Sequence, residues 1–206
     1  MNKLTLYGGA KSRAIRSLWA LEECCAETGI DYHQVKLNTI EEMRSPDFLA
    51  VNPNGKIPAL KHDDLFVFES MCINLHVAKR FAPKLYPLGD WQESLVLQWS
   101  FWAISEIEPL QMDLLNNTKF LPKNKRLPEV ANLAIRRLNR PLETLEKHLT
   151  GRQWLLTDNF SIADLNLASV MLLLDMAKYD FTSFPRIAEW RSRCYGRPAF
   201  GTAQQR

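Results

Sequence analysis

Cysteine is scarce in this chain and never spaced as C-x-x-C. The four that occur among 206 residues, Cys24, Cys25, Cys72 and Cys194, do not make the framework of a disulfide-stapled domain. Two-thiol redox chemistry on the protein itself is thereby excluded, and a reducing compartment is expected. Long apolar runs are missing too. Leu165 to Ala177 is broken by Asn166 and Asp175 and is shorter than a membrane span requires. No apolar leader follows Lys3, where a strand-like run leads at once to Gly8-Gly9. A cytoplasmic protein that does not enter a membrane is the expectation. Charge of one sign is in small excess only, +3 overall. The basic residues are scattered apart from small clusters such as Lys123 to Arg126, so neither nucleic acid nor an anionic membrane is an expected partner. His33, His62, His76 and His148 show no ligand spacing such as H-E-x-x-H, and no metal is expected. No G-x-S-x-G elbow or nucleotide-binding loop occurs.

What is present is ample core material, 46% apolar residues, in a length that suits one or two domains. Leu4-Thr5-Leu6-Tyr7 reads as a short strand. Ala14, Leu18, Leu21 and Cys25 then recur at helical spacing until Thr28-Gly29. Tyr32 to Leu37 reads as a second strand, which completes a right-handed βαβ unit. Glu41 to Leu49 is a short, irregular helical stretch. A hairpin follows between Ala59 and Phe68, then a helical stripe of Met71, Leu75, Ala78 and Ala82. Pro83, Pro87 and Gly89 mark a linker, and everything after it is helical. Trp91 to Asn117 is a long run carrying Trp91, Leu95 and Trp102, expected to be buried on several sides and to kink or break at Pro109. Leu127-Pro128 opens a helix with the stripe Ala131, Ala134, Leu138, Leu142, Leu145 and Leu149, in which Pro141 is a second kink site. Ser161-Ile162-Ala163-Asp164 has the form of a capping box before a very apolar helix. Ser161 and Asp164 are therefore structural candidates. Phe184 to Trp190 starts the last helix. The expected partition is a βαβαββα domain at 1–82, a linker at 83–90 and an all-helical domain at 91–206.

The most informative stretch runs from Asn52 to Ser70. Pro53, Asn54 and Gly55 signal a turn. Pro58, early in a strand, marks a bend or a start, because it cannot donate to the ladder. The Ile57–Pro58 bond costs only about 0.5–1 kcal/mol to be cis. A bend there would leave the N–H and C=O of Ile57 open to an outside partner. Glu69 and Ser70 open a helix whose first turn has unpaired N–H groups and a positive end. Strand-like pairing, an anion site and a carboxylate in one segment suit a small peptide.

Gly55-Lys56-Ile57-Pro58-Ala59-Leu60 followed by Phe68-Glu69-Ser70 resembles the glutathione site of the cytosolic glutathione S-transferase superfamily. The likeness extends over essentially the whole chain, including the cap at Ser161 and Asp164 and the Phe184-Pro185 helix start. It implies an α/β plus all-α architecture: a thioredoxin-like N-terminal domain, then an all-helical C-terminal domain. It also implies a homodimer with a transferase activity in detoxification, taking glutathione as co-substrate and a small-molecule electrophile as partner. Residue by residue, it assigns Ile57 to the cysteinyl backbone, Glu69 to the γ-glutamyl ammonium and Ser70 to its carboxylate. Lys56 lies beside the same peptide, and Arg44 is a candidate for the glycyl carboxylate. Trp102, Ser105 and Met112 are candidates for the wall of a second-substrate site.

The activating group must lie in the first loop, Gly8-Gly9-Ala10-Lys11-Ser12-Arg13. A free thiol has a pKa near ~8.5, and lowering it by two units requires ~2.7 kcal/mol in favour of the thiolate. A helix N-terminus supplies ~0.3–1 kcal/mol, up to ~2 when partly buried. A hydrogen bond to a charged acceptor adds ~1.5–3 kcal/mol. The two together suffice, so a hydroxyl at this loop is expected. Ser12 is the candidate, in a loop that resembles the serine-type classes. Tyr7, at the end of the first strand, is the alternative, as are backbone N–H groups alone. Two other readings of the whole chain stay open: a non-catalytic binding or regulatory protein of this superfamily, and a glutathione-dependent isomerase or dehalogenase.

Overall fold

Alternation at Leu4 and Leu6, both buried, makes β1 (Leu4–Tyr7) an inner strand with one face in the core. The computed structural model describes residues 3–87 and 89–206. Met1 and Asn2 of the expected first domain, and Leu88 of the expected linker, lie outside the described residues. The chain divides into two units, Met1–Leu88 with Gly196–Arg206, and Gly89–Tyr195.

In the first unit, α1 (Ala14–Thr28) buries Leu18, Trp19, Leu21 and Cys24. It stops where Gly29 turns left-handed, φ 69°, and returns its N–H to the Cys25 carbonyl. β2 (His33–Val35) pairs parallel with β1. The irregular stretch resolves into two capped helices, α2 (Ile40–Met43) behind Thr39 and α3 (Pro46–Val51) behind Ser45. β3 (Ala59–His62) and β4 (Leu65–Phe68) form the hairpin, and α4 (Ser70–Phe81) follows. The sheet order is β2-β1-β3-β4, with β3 antiparallel to β1 and β4 at the edge. This is a thioredoxin-like domain with a mixed four-stranded sheet.

The second unit is helical. The long run is segmented into α5 (Asp90–Trp102), a π-helical turn (Ala103–Ile107), α6 (Glu108–Leu115) and a second π turn (Asn116–Phe120). The break expected at Pro109 takes the form of the first π turn, where the Glu108 N–H reaches back to the Ala103 carbonyl. The buried line is Val96, Trp99, Ala103 and Ile107. The expectation of burial on several sides fails at Trp91, Leu95 and Phe101, which are 82%, 39% and 59% exposed. α7 (Pro128–His148) runs through Pro141 without ending. α8 (Ile162–Met176) is enclosed from Ile162 to Met171, and α9 (Pro185–Tyr195) packs beside it.

The tail departs from the expected partition. α10 (Pro198–Gln205) belongs to the first unit and packs on α1. Phe200 meets Trp19 with ring centroids 4.7 Å apart. Arg197 grips the buried Glu23 carboxylate through both Nε and Nη2, at 2.6 and 2.7 Å. Such a bidentate, largely buried pair is strong enough to fix a terminal helix. No helix among the described residues is long and apolar enough to cross a membrane.

Candidate functional site

Asn52, 2% exposed, organises the turn before β3. Its amide donates to the Lys56 carbonyl at 2.6 Å, and its side-chain oxygen accepts the Asn54 N–H at 3.1 Å. Its carbonyl takes the Gly55 N–H. Lys56 is thus presented outward. The Ile57–Pro58 bond is cis, and no hydrogen bond joins the N–H or C=O of Ile57 to another described residue. Pro58 and Ala59 are buried beneath.

Two glycines make the contacts that close this region. Gly8, φ 126°, lies so near its neighbours that an added Cβ would stand 2.6 Å from Ala14 Cβ and 3.2 Å from Ile57 Cβ. The first loop, the start of α1 and the bend at Ile57 therefore touch at one point. Gly55, φ 58°, has Arg44 folded against it, with Nη1 3.0 Å from where a Cβ would sit. Arg44 and Lys56 are both exposed.

Ser12 stands just before α1 and is half-buried. Its hydroxyl donates to the Gly9 carbonyl at 2.8 Å and accepts the Ala14 N–H at 3.1 Å. Its proton can turn to another acceptor while the bond from Ala14 is kept. Tyr7, at the end of β1, packs its ring on Phe48, 5.7 Å between centroids, in the small cluster of Phe48, Val51 and Ala59 against which Ile57 also packs.

Glu69 precedes α4 with φ 70° and ψ 116°, a conformation that L side chains rarely adopt. Its side chain does not cap the helix, and it is exposed. Ser70, 8% exposed, begins the helix, and the buried Arg16 approaches its hydroxyl with Nη1 at 3.5 Å. Sequence reasoning missed Arg16. The available signal was an arginine set among the apolar positions of α1, where a cation needs a partner. Neither Cys24 nor Cys25 is a thiolate at neutral pH. Burial pushes Cys24 far up and Cys25 up to about 11. Among the described residues, no group of three or more His, Cys, Asp or Glu is placed to hold a metal ion.

The sequence matches the family model "Glutathione S-transferase, N-terminal domain" over residues 2–79 and "Glutathione S-transferase, C-terminal domain" over residues 107–198. It is 30% identical to glutathione S-transferase 1 of Zea mays, with 97% of this chain and 94% of that protein covered. The chain belongs to the glutathione S-transferase family. Another relative is the disulfide-bond oxidoreductase YfcG of Escherichia coli (strain K12), 30% identical over 86% of this chain and 85% of that protein. A solved structure of glutathione S-transferase I bound with the ligand lactoylglutathione superposes with a TM-score of 0.85 at 30% identity, covering 98% of this chain and 99% of that one.

The other sequence candidates of this family member fall in the second unit. Trp102, half-buried at the end of α5, lines an open cavity of about 650 Å³ with Trp99, Lys147, His148 and Arg152. Ser105, exposed on the first π turn, and Met112, half-buried on α6, do not line it. Asp164 is wholly buried at the start of α8. It accepts the Ser161 N–H and hydroxyl at 3.0 and 2.8 Å, the Leu155 N–H at 2.8 Å and the Trp190 indole N–H at 2.9 Å.

Proposed function

We propose that this chain is a glutathione transferase. It would bind glutathione along Ile57, stabilise its thiolate with Ser12 and the first turn of α1, and deliver the sulfur to an electrophilic carbon or a peroxide. The observation that carries this reading is the contact of Gly8 with both Ala14 and Ile57. It sets the hydroxyl of Ser12 and the unpaired backbone of Ile57 on adjacent segments, as a bound cysteinyl thiol between them requires. Glu69, exposed and uncapped, offers a carboxylate to the γ-glutamyl ammonium, and Ser70 with the first turn of α4 offers donors to its carboxylate. Arg44 and Lys56 supply positive charge for the glycyl end. The relative structure bound with lactoylglutathione supports the same reading.

The transition state of thiolate attack spreads charge from sulfur to the electrophile. A donor fixed near the sulfur therefore acts mainly by raising the thiolate fraction at neutral pH. The test is retention on immobilised glutathione, then conjugation of an aryl halide by wild type and Ser12→Ala. Normal binding with unchanged turnover would remove Ser12 from the mechanism.

A second reading follows from the name of the Escherichia coli relative. The glutathione thiolate would attack one sulfur of a disulfide, forming a mixed disulfide and releasing the other sulfur as a thiolate. Comparing turnover of an aryl halide with that of a small dialkyl disulfide separates the two.

A homodimer in a reducing cytoplasm completes the proposal. Cys24, Cys25, Cys72 and Cys194 form no disulfide. The first unit exposes Leu65, Phe66 and Phe68 on its edge strand, and the second exposes Trp91, Leu95 and Phe101 on α5, apolar surface of the kind a symmetric partner covers. Sedimentation of wild type and Phe66→Asp tests it.

A further inference from the structure

His62, the last residue of β3, and His76, in the second turn of α4, meet with Nδ1 and Nε2 2.9 Å apart. His62 is 6% exposed and lies edge-on to Phe81, 5.3 Å between centroids, while His76 is half-buried. The bond closes the stretch from 62 to 76 into a loop, and Glu69 stands at its midpoint. Within that loop, β4 is an edge strand with Leu65, Phe66 and Phe68 outward. The hairpin ladder and this bond are thus two separate holds on the residues that set the unusual φ of Glu69. We infer that His62 and His76 are positioning residues, a clasp that keeps Glu69 and Ser70 in their glutathione-binding arrangement and lets go on acidification. The inference rests on the glutathione reading above.

The chemistry follows from proton counting. One ring donates and the other accepts, so the bond survives when the pair is neutral or carries one extra proton. A second extra proton leaves two donors and two positive charges face to face, and the bond cannot persist. The surroundings decide where each proton goes. Asp63, on the turn, has Oδ2 3.7 Å from His62 Nε2, and its other oxygen accepts the Lys3 N–H at 2.9 Å. A carboxylate thus stands beside the His62 ring. Burial, then the charge on His62, then Arg80 further along α4, hold His76 below the ordinary histidine range. The remaining charged groups nearby are engaged elsewhere or exposed. Lys61 of β3 lies over Phe66, Glu27 of α1 accepts the Lys84 N–H, and Asp64 faces solvent. The sign follows from the lowered value. The clasp is intact above it and is lost as pH falls through it, because the opened arrangement, with an ordinary histidine, takes the proton more readily.

The test uses S-methylglutathione, whose sulfur cannot ionise and whose other groups do not titrate between about pH 5.5 and 7.5. Calorimetric titration of the wild type is expected to show affinity falling roughly five- to tenfold across that range. His76→Gln, which cannot gain a proton, is expected to vary less than about twofold; His62→Gln serves if that variant fails to fold. In parallel, nitrogen-15 NMR of the imidazoles should show the pair titrating in two steps more than about one unit apart. Wild-type affinity that is flat with pH, a variant with the wild-type profile, or two imidazoles titrating independently near the ordinary value would overturn the clasp. If S-methylglutathione binds at no pH, the glutathione reading fails, and the NMR titration alone then decides the clasp.

Discussion

The starts of α4 and α8 are built from the same materials and finished in opposite ways. Each places an acid and a serine at a helix N-terminus. At α8 the acid points inward: Asp164 is buried and accepts hydrogen bonds from Ser161, Leu155 and Trp190, so the carboxylate and the donors around it are satisfied by the protein itself. Burial holds its carboxyl above the ordinary range, and those donors offset only part of that rise. At α4 the acid points outward. Glu69 caps nothing, takes an unfavourable φ, and leaves the first-turn N–H groups for something else. A helix end that satisfies itself serves stability, whereas one left open at a cost in backbone energy is, on the proposed reading, the end that meets a ligand. The two can be told apart by substitution, because removing the acid should unfold one and merely silence the other.

The largest effect is expected at the closed end. Asp164→Ala strands the Leu155, Ser161 and Trp190 N–H groups in the core, each worth about 1–3 kcal/mol when unsatisfied. A loss of about 3–9 kcal/mol is expected, a large share of a typical 5–15 kcal/mol margin. Urea unfolding measures it, and a loss under about 1 kcal/mol would mean the cap is dispensable. Next comes Gly8→Ala, beside the open end. It sets a methyl 2.6 Å from Ala14 Cβ at a positive φ. Thermal unfolding should show a cost of about 2–3 kcal/mol, with weaker glutathione retention as Ile57 is pushed from the loop. Ser12→Ala is smaller. Losing the bonds to Gly9 and Ala14 should cost about 0.5–1 kcal/mol of stability. The kcat/KM for an aryl halide should fall roughly ten- to a hundredfold, with the pH profile of turnover moved upward.

How much of this contrast was legible in the sequence depends on range. The open end was readable because its chemistry is local: Asn-Pro-Asn-Gly announces the turn, Pro58 the bend, and Glu-Ser the helix start. The capping pattern at Ser161 and Asp164 is local for the same reason. Arg16 reaching Ser70, Arg197 gripping Glu23 and the meeting of His62 with His76 are long-range events, and side-chain spacing along the chain does not encode them. The outward turn of Trp91, Leu95 and Phe101 was misjudged on different grounds. An apolar side chain shows that a surface wants covering, and it does not say whether the cover comes from the same chain or another.

The smallest effect is the most diagnostic of the open end. A residue held at φ 70° and ψ 116° costs on the order of 1–3 kcal/mol when it carries a Cβ, while glycine adopts such a conformation freely at an entropic cost of about 0.5–1 kcal/mol. Glu69→Gly should therefore raise stability by about 0.5–1 kcal/mol and weaken glutathione binding through loss of the carboxylate. Glu69→Ala keeps the Cβ and the unfavourable φ, so it should lose the same affinity with no gain in stability. Unfolding free energy and glutathione affinity measured for both variants separate the charge from the backbone. If alanine and glycine are equally stable, the φ of Glu69 is not a strained state held for a ligand. The difference between the two helix starts then reduces to which way an acid happens to face.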